Sequence, residues 1–186
     1  MLLHIKNMVC DRCKLVVKDE LEKLGYTPKQ IVLGEVSINK ILSEQEKGII
    51  ENALRNFGFE LIDDKNSQLI ERIKTLIIEL VHYSEEDIKL NFSEYLESQI
   101  HKDYTYLSNL FSESQGFTIE KYFIRQKIEH VKELLVYDEL TLSEISYRMG
   151  YSSAAYLSNQ FRKVTGLTPS HFKKIKTIKR RSLDKL

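Results

Sequence analysis

A chain of 186 residues with 42% hydrophobic content has room for one domain or two small ones, and it carries enough apolar mass to bury an ordinary core. No run approaches the roughly 18 uninterrupted apolar residues of a membrane span, and MLLHIKNM is interrupted by His4 and Lys6 before a signal-peptide core forms, so the expected address is cytoplasmic, with no membrane partner. The net charge of +1 hides an uneven distribution: residues 1–64 carry 9 Lys/Arg against 11 Asp/Glu, residues 65–161 carry 10 against 15, and residues 162–186 carry 9 against 1, a basic end that either attracts a polyanion, nucleic acid first among them, or is a solvated tail.

From the N-terminus, LLHI reads as a short strand. CKLVVKDELEKLG follows as a helix with Leu15, Val16, Leu21 and Leu24 near one face, stopped by Gly25. QIVLGEVSI reads as two short strands turned at Gly34. Ser43 opens a second helix that places Ile49, Ile50, Ala53, Leu54 and Phe57 inward, Gly58 ends it, and FELI forms a last strand. The order β-α-β-β-α-β is the split plan of a small ferredoxin-like sandwich, expected over residues 1–64. The polar stretch DDKNSQ is read as the linker to residues 65–186.

Within the first part, NMVCDRCKLVV sets Cys10 and Cys13, the two cysteines of the chain, three apart where strand meets helix. Two cysteines exclude a disulfide framework. Both thiols can face one ion from such a bend, a helix N-terminus favours the thiolate, and soft thiolates select Cu(I) or Zn(II). Residues 1–64 are similar to a heavy-metal-associated domain, whose Gly-Met-x-Cys-x-x-Cys motif is matched by Met8, Cys10 and Cys13 and departed from at Asn7. Three other uses compete: a closed zinc site completed by His4 or a second chain, a redox pair, and a module that serves contacts alone. His82, His101, His130 and His171 are read as scattered surface or core residues.

From Leu69 the pattern is helical to the end. LIERIKTLIIELVHY has apolar residues at 69, 70, 73, 76, 77 and 80, a broad stripe for a first core helix. Sliding the chain by fifty then lays Asn91–Phe123 on Thr141–Lys173 without a gap, an internal duplication. Each copy opens on a capping-box pattern, Asn91 with Glu94 and Thr141 with Glu144, and each second helix starts at an N-cap, Asp103 or Ser153. Met149-Gly150-Tyr151 supplies the turn glycine of the second copy.

In those second helices the side chains divide into two faces. Leu107 with Phe111, and Leu157 with Phe161, are four apart and are expected to anchor the helices. Opposite them project Thr105, Ser108, Asn109 and Ser112 in one copy and Ala155, Ser158, Asn159 and Arg162 in the other. Short polar side chains around an Asn suit the major groove, where Asn bonds adenine N6 and N7 together. Between the copies IEKYFIRQKIEHVKELLVY is a helix of roughly 28 Å, comparable to the approximately 34 Å between major-groove turns on one face of B-DNA.

Residues 67–175 resemble the DNA-binding domain of AraC/XylS-type bacterial transcription regulators, most densely over LTLSEISYRMGYSSAAYLSNQFRKVTGLTPSHFKK. The resemblance implies an all-α domain of seven helices with two helix-turn-helix units joined by the long connector. It implies base reading by Thr105, Ser108 and Asn109 in the first unit and by Ala155, Ser158 and Asn159 in the second. Lys102, Arg162, Lys163, Lys173 and Lys174 are expected on the phosphates. The first unit departs at Ile100-His101-Lys102, which replaces Gly-Tyr-Ser, and at SESQ, which replaces RKVT. The expected function is sequence-specific binding of double-stranded DNA to regulate transcription, with RNA polymerase as a second partner and metal at the N-terminal domain as the signal. No cofactor is expected for DNA binding itself. A metal-handling or thiol-redox protein with a docking helical half is the alternative; no glycine loop, nucleophile elbow or paired-carboxylate motif marks an enzyme.

Overall fold

The computed structural model describes residues 1–84 and 91–175, so residues 176–186 of the basic C-terminal end lie outside the described residues. The chain divides into two compact units, Met1–Thr75 and Leu76 onward. In the first the elements run β1 (Leu2–Lys6), α1 (Asp11–Lys23), β2 (Pro28–Val32), β3 (Glu35–Ile38), α2 (Glu44–Arg55), β4 (Glu60–Leu61) and the N-terminal part of α3 (Lys65–Ile78). The strands hydrogen-bond in the order β2-β3-β1-β4, every neighbouring pair antiparallel. Leu3 stands opposite Val36 and Ile5 opposite Leu61.

Alternation decides which face is covered. Leu3, Ile5, Val36 and Ile38 are buried while His4, Glu35 and Ser37 are only half-buried, the period of two that a one-sided core imposes. Val17 and Leu21 of α1 and Ile50 and Leu54 of α2, each pair four apart, complete that core. The stripe differs from the expected one at three residues. Leu15 is 64% exposed because two helical steps turn it about 200° away from Val17. Ile49 is exposed one step off the Ile50–Leu54 line. Phe57 is exposed because α2 ends at Arg55, so helical spacing no longer governs it. Ser43 caps α2 through a reciprocal pair with Glu46, whose carboxyl is held down to about 2, chiefly by Lys40 and then by Ser43.

The polar stretch expected as a linker is instead the start of a helix. The Asp64 carboxylate accepts the Ser67 N–H at 2.8 Å, and Gln68 donates back to the Ile62 carbonyl at 3.0 Å, so DDKNSQ becomes the cap and first turn of α3. Its own polarity supplied the capping groups.

In the second unit α3 passes into a single π turn, Glu79–Tyr83, and there follow α4 (Phe92–Ile100), α5 (Tyr104–Gln115), α6 (Ile119–Tyr137), α7 (Leu142–Arg148), α8 (Ala154–Thr165) and α9 (Pro169–Ile175). Among the described residues from 65 on there are thus seven α-helices. Helix α6 touches α5, α7, α8, α9 and the π turn, so it is the spine of the unit as well as a spacer. No helix among the described residues is long and apolar enough to cross a membrane.

Gly34 shows how tightly the β2–β3 turn is specified. Its φ is +80°, and a Cβ there would lie 3.2 Å from Thr75 Oγ1. Gly25 has φ +82° with nothing within 4 Å. Gly25→Ala is expected to cost the backbone term alone, about 1–2 kcal/mol, and Gly34→Ala to cost more, as read from the midpoint shift in urea denaturation.

Candidate nucleic-acid interface

Each half of the duplication is built from the cap inward. In the second, the Thr141 hydroxyl accepts the Glu144 N–H at 3.3 Å while Glu144 accepts the Thr141 N–H at 2.7 Å, a complete capping box. The Thr141 hydroxyl, which donates to the Glu144 carboxylate at 2.7 Å, and then the Thr141 N–H hold that carboxyl below its usual range. In the first the expected box is absent: Asn91 makes no side-chain cap bond. Its carboxamide donates to Glu94 at 2.8 Å and accepts from Ser93 at 2.8 Å, so both ends of the amide are engaged by side chains and its oxygen takes no N–H of the helix start.

The turns between the paired helices differ, by two places in where the first helix ends and by one in where the left-handed residue falls. Helix α7 ends at Arg148 and Gly150 takes φ +66°; α4 runs on through Ile100 and His101 takes φ +57°. The departure at Ile100-His101-Lys102 is therefore met by lengthening the first helix and letting a histidine enter the left-handed region, which costs it roughly 1–2 kcal/mol. Both chains then arrive at equivalent caps: Asp103 accepts the Tyr106 N–H at 3.1 Å and Ser153 accepts the Tyr156 N–H at 3.1 Å.

From those caps α5 and α8 run in the same register for twelve residues each. Leu107, Phe111, Leu157 and Phe161 are each 0% exposed. Phe111 meets Phe117 and Tyr122, and Phe161 meets Phe172 of α9. With that face inward, Thr105, Asn109, Ala155 and Asn159 are exposed and Ser108 and Ser158 half-buried, so the structure brings the expected base-reading residues onto one outward strip per helix. Lys102, Arg162, Lys163, Lys173 and Lys174 are all exposed, but Lys173 is held by the Asp138 carboxylate.

Two further residues belong to these strips. Tyr106 and Tyr156 are 48% and 55% exposed, one step from Thr105 and Ala155 and three from the asparagines. Lys102 lies over the Tyr106 ring at 5.6 Å, and Tyr156 leans on Tyr151 at 5.8 Å. Their signal in the sequence was repetition itself, since tyrosine recurs at the same place fifty residues on. A cleft beside α8, whose lining includes Lys121, Arg125 and Lys163 against the one carboxylate of Glu120, extends the cationic surface of the second copy. In the first copy Ser112 and Glu113 stand where Arg162 and Lys163 stand in the second.

The thiols also come together, with Cys10 Sγ and Cys13 Sγ 3.4 Å apart at the start of α1. Burial is the largest influence on Cys13 and pushes its thiol above the usual value, against the thiolate expected from a helix N-terminus. Among the described residues no third His, Cys, Asp or Glu joins them; His4 Nδ1 lies 3.6 Å from Glu35 instead.

Residues 96–175 match the family model described as a helix-turn-helix domain. An HTH-type transcriptional regulator of Staphylococcus aureus (strain MSSA476) is 32% identical over 114 residues, 61% of this chain and 14% of that protein. The HTH-type transcriptional regulator YtdP of Bacillus subtilis (strain 168) is 24% identical over 155 residues, 78% of this chain and 20% of that protein. The chain thus spans about a seventh to a fifth of the length of these relatives. Among solved structures, the C-terminal domain of AraT, a response regulator from Geobacillus stearothermophilus, superposes with a TM-score of 0.52 at 24% identity, over 64% of this chain and 94% of that one. An AraC-type transcriptional regulator from Chromobacterium violaceum gives 0.51 at 16% identity, over 62% and 99%. The helical unit therefore carries a helix-turn-helix domain and shares its fold with AraC-type DNA-binding domains.

The two helix starts make a direct comparison of caps. Thr141→Ala removes a reciprocal box and is expected to cost about 1 kcal/mol, whereas Asn91→Ala, which breaks no bond to a helix N–H, is expected to cost less in the same thermal or urea unfolding assay.

Proposed function

We propose that this chain is a sequence-specific DNA-binding transcription regulator that reads double-stranded DNA with α5 and α8. One observation carries the reading: two helices in the same register bury the same apolar pair and present the same outward Ser-Asn pair, Ser108-Asn109 and Ser158-Asn159. Stability requires the buried pair; it sets no demand on the asparagines, which are exposed in both helices. In this reading Asn109 and Asn159 bond adenine edges, Thr105, Ser108, Ala155 and Ser158 give the close approach, and Tyr106 and Tyr156 flank them against sugar or a thymine methyl. Lys102, Arg162, Lys163 and Lys174 contact phosphates, and Lys173 joins them by leaving its exposed partner Asp138, a pair worth no more than about 1 kcal/mol. RNA polymerase is the second partner that activation would require.

We further propose that the N-terminal unit is a ferredoxin-like sandwich of the heavy-metal-associated kind, able to hold Cu(I) or Zn(II) on Cys10 and Cys13. The element order β-α-β-β-α-β and a sheet in which β3 lies between β1 and β2 support the first part. So does Asn7: it takes φ +71°, a conformation that glycine supplies freely and asparagine tolerates, and its side chain donates to the Gly58 carbonyl at 2.8 Å. The donor set supports the second part, two adjacent thiols beside the buried Met8. A bound soft ion supplies a cross-link that only deprotonated sulfur can form, so the raised Cys13 thiol makes binding stronger as pH rises. For such binding to act as a signal, the DNA-bound and free states must differ in metal affinity.

Selection from random duplex DNA, with and without Cu(I) and Zn(II), tests both parts. An enriched operator is expected, and recovery of no sequence preference would defeat the DNA reading. On that operator Asn159→Ala is expected to cost about 1–3 kcal/mol and relax one base position, while Lys163→Ala weakens all sequences alike and lowers the salt slope by about 1. Replacing Cys10 and Cys13 by Ser is expected to abolish Cu(I) binding; unchanged affinity in a competition titration removes the thiols as ligands.

A further inference from the structure

A second donor cluster uses neither the thiols nor the outward residues of α5 and α8. The π turn at the end of α3 carries His82, which meets His130 of α6 edge-on with ring centroids 5.0 Å apart. His130 Nδ1 is 3.1 Å from Glu133 Oε2, one turn further along α6. One ligand atom from each of the three lies within 4.8 Å of the others. We propose that His82, His130 and Glu133 bind a divalent transition-metal ion of the zinc type, and that the ion clamps the end of α3 to the connecting helix.

The chemistry of the donors points to that class of ion. Two imidazoles and one carboxylate are borderline ligands suited to Zn(II), Co(II) or Ni(II), whereas Mg(II) and Ca(II) prefer all-oxygen sets and Cu(I) prefers the thiols. Three protein ligands also leave a fourth tetrahedral position for water, the arrangement of an open site. The distances are near what such an ion needs. Bonds of about 2.0–2.1 Å at tetrahedral angles set neighbouring ligand atoms about 3.3 Å apart, and His130 and Glu133 already stand at 3.1 Å. Bringing in His82 takes a side-chain movement on the order of 1 Å, within the reach of a χ adjustment.

Two features of the surroundings favour ligation over a simple imidazole–carboxylate contact. His82 Nε2 is 3.1 Å from Gln126 Oε1, and the Gln126 side chain is fully buried. With the proton on Nε2 and donated to that carbonyl, the ring lone pair is on Nδ1, the way outer-shell carbonyls fix the tautomer of metal-bound histidines. The π turn is the second feature. Glu79–Tyr83 contains neither glycine nor proline, so no breaker accounts for the widened turn, and single π turns recur where a helix re-aims a side chain toward a site. The His130 and Glu133 side chains are 12% and 24% exposed, which shields the site yet leaves a way in for an ion.

The test uses the full chain with Cys10→Ser and Cys13→Ser, so that sulfur takes no part. Calorimetric titration with Zn(II) is expected to give one ion per chain, and Co(II) is expected to show visible d–d bands without sulfur-to-metal charge transfer. His82→Asn and His130→Asn should each lower Zn(II) affinity about tenfold or more and remove the zinc-induced rise in melting temperature. Glu133→Gln, which keeps the side-chain shape, serves as the third variant, so that the site stays testable even where loss of an imidazole unfolds the chain. Absence of binding in the thiol-free chain, or affinity unchanged in the folded variants, overturns the site.

Discussion

Four fully buried side chains, Leu107 and Phe111 in α5 and Leu157 and Phe161 in α8, fix the direction in which the rest of the helical unit faces. Truncating one buried Phe costs about 3–5 kcal/mol, a large part of the 5–15 kcal/mol that holds a domain together. The helices therefore cannot rotate about their axes to hide or expose other residues. Outward projection of the asparagines is a consequence of this anchoring, since Asn109 and Asn159 stand two residues, about 200°, from both anchors of their helix, while Ser108 and Ser158 lie half-buried on the flank. A site built this way is preorganised: the polar strip needs no support of its own because the core supplies it.

The helix between the two heads obeys a different rule. An exposed spacer would be polar on every side, yet α6 buries Gln126, Lys127, Glu129 and Lys132 among Ile119, Tyr122, Ile128, Val131 and Leu135. Each charge is met locally. Glu129 and Lys132 pair with each other, and the Lys127 ammonium sits 4.0 Å from the Tyr151 ring centroid and 5.3 Å from that of Phe123, while burial lowers its pKa to about 8. Buried pairs of this kind add little to stability. That pair lies on one helix and moves with it, so alignment rests on Lys127, whose ammonium meets the ring of Tyr151 outside α6. A shift of α6 along its axis would take the Lys127 charge off that ring.

How far the sequence could be read depended on the range of the interaction. Caps at Ser43, Asp103, Thr141 and Ser153, the turn at Gly34 and the anchors of the duplicated helices are contacts within a few residues, and the pattern of types at fixed offsets exposes them. Leu15 was misplaced because a short amphipathic helix with apolar residues at 15, 16 and 17 offers two stripes, and only packing against the sheet selects Val17. DDKNSQ looked like a linker because N-cap groups and linker residues are the same amino acids. The histidines looked scattered since His82 and His130 are 48 positions apart, and no local rule announces the π turn that turns one ring toward the other. The thiol state was likewise out of reach, because burial of Cys13 depends on the chain folding around it.

The two copies have kept their cores and diverged in charge, and that difference assigns them unequal tasks under the proposed DNA reading. Arg162 and Lys163 continue the polar strip of α8, and Lys121 and Arg125 line the adjacent cleft. On α5 the matching places hold Ser112 and Glu113, so its strip brings one carboxylate toward the phosphates and no cation beyond Lys102 before it. Counterion release scales with the phosphates neutralised, which puts most of the salt-dependent affinity on the second unit and leaves the first to discriminate by hydrogen bonds. A head that binds weakly by itself gains from being tied to one that binds well, since the rigid connection replaces a second bimolecular encounter with a local one. The packing of α6 against both pairs of helices is then what turns a basic anchor and a nearly uncharged reader into one recognition surface.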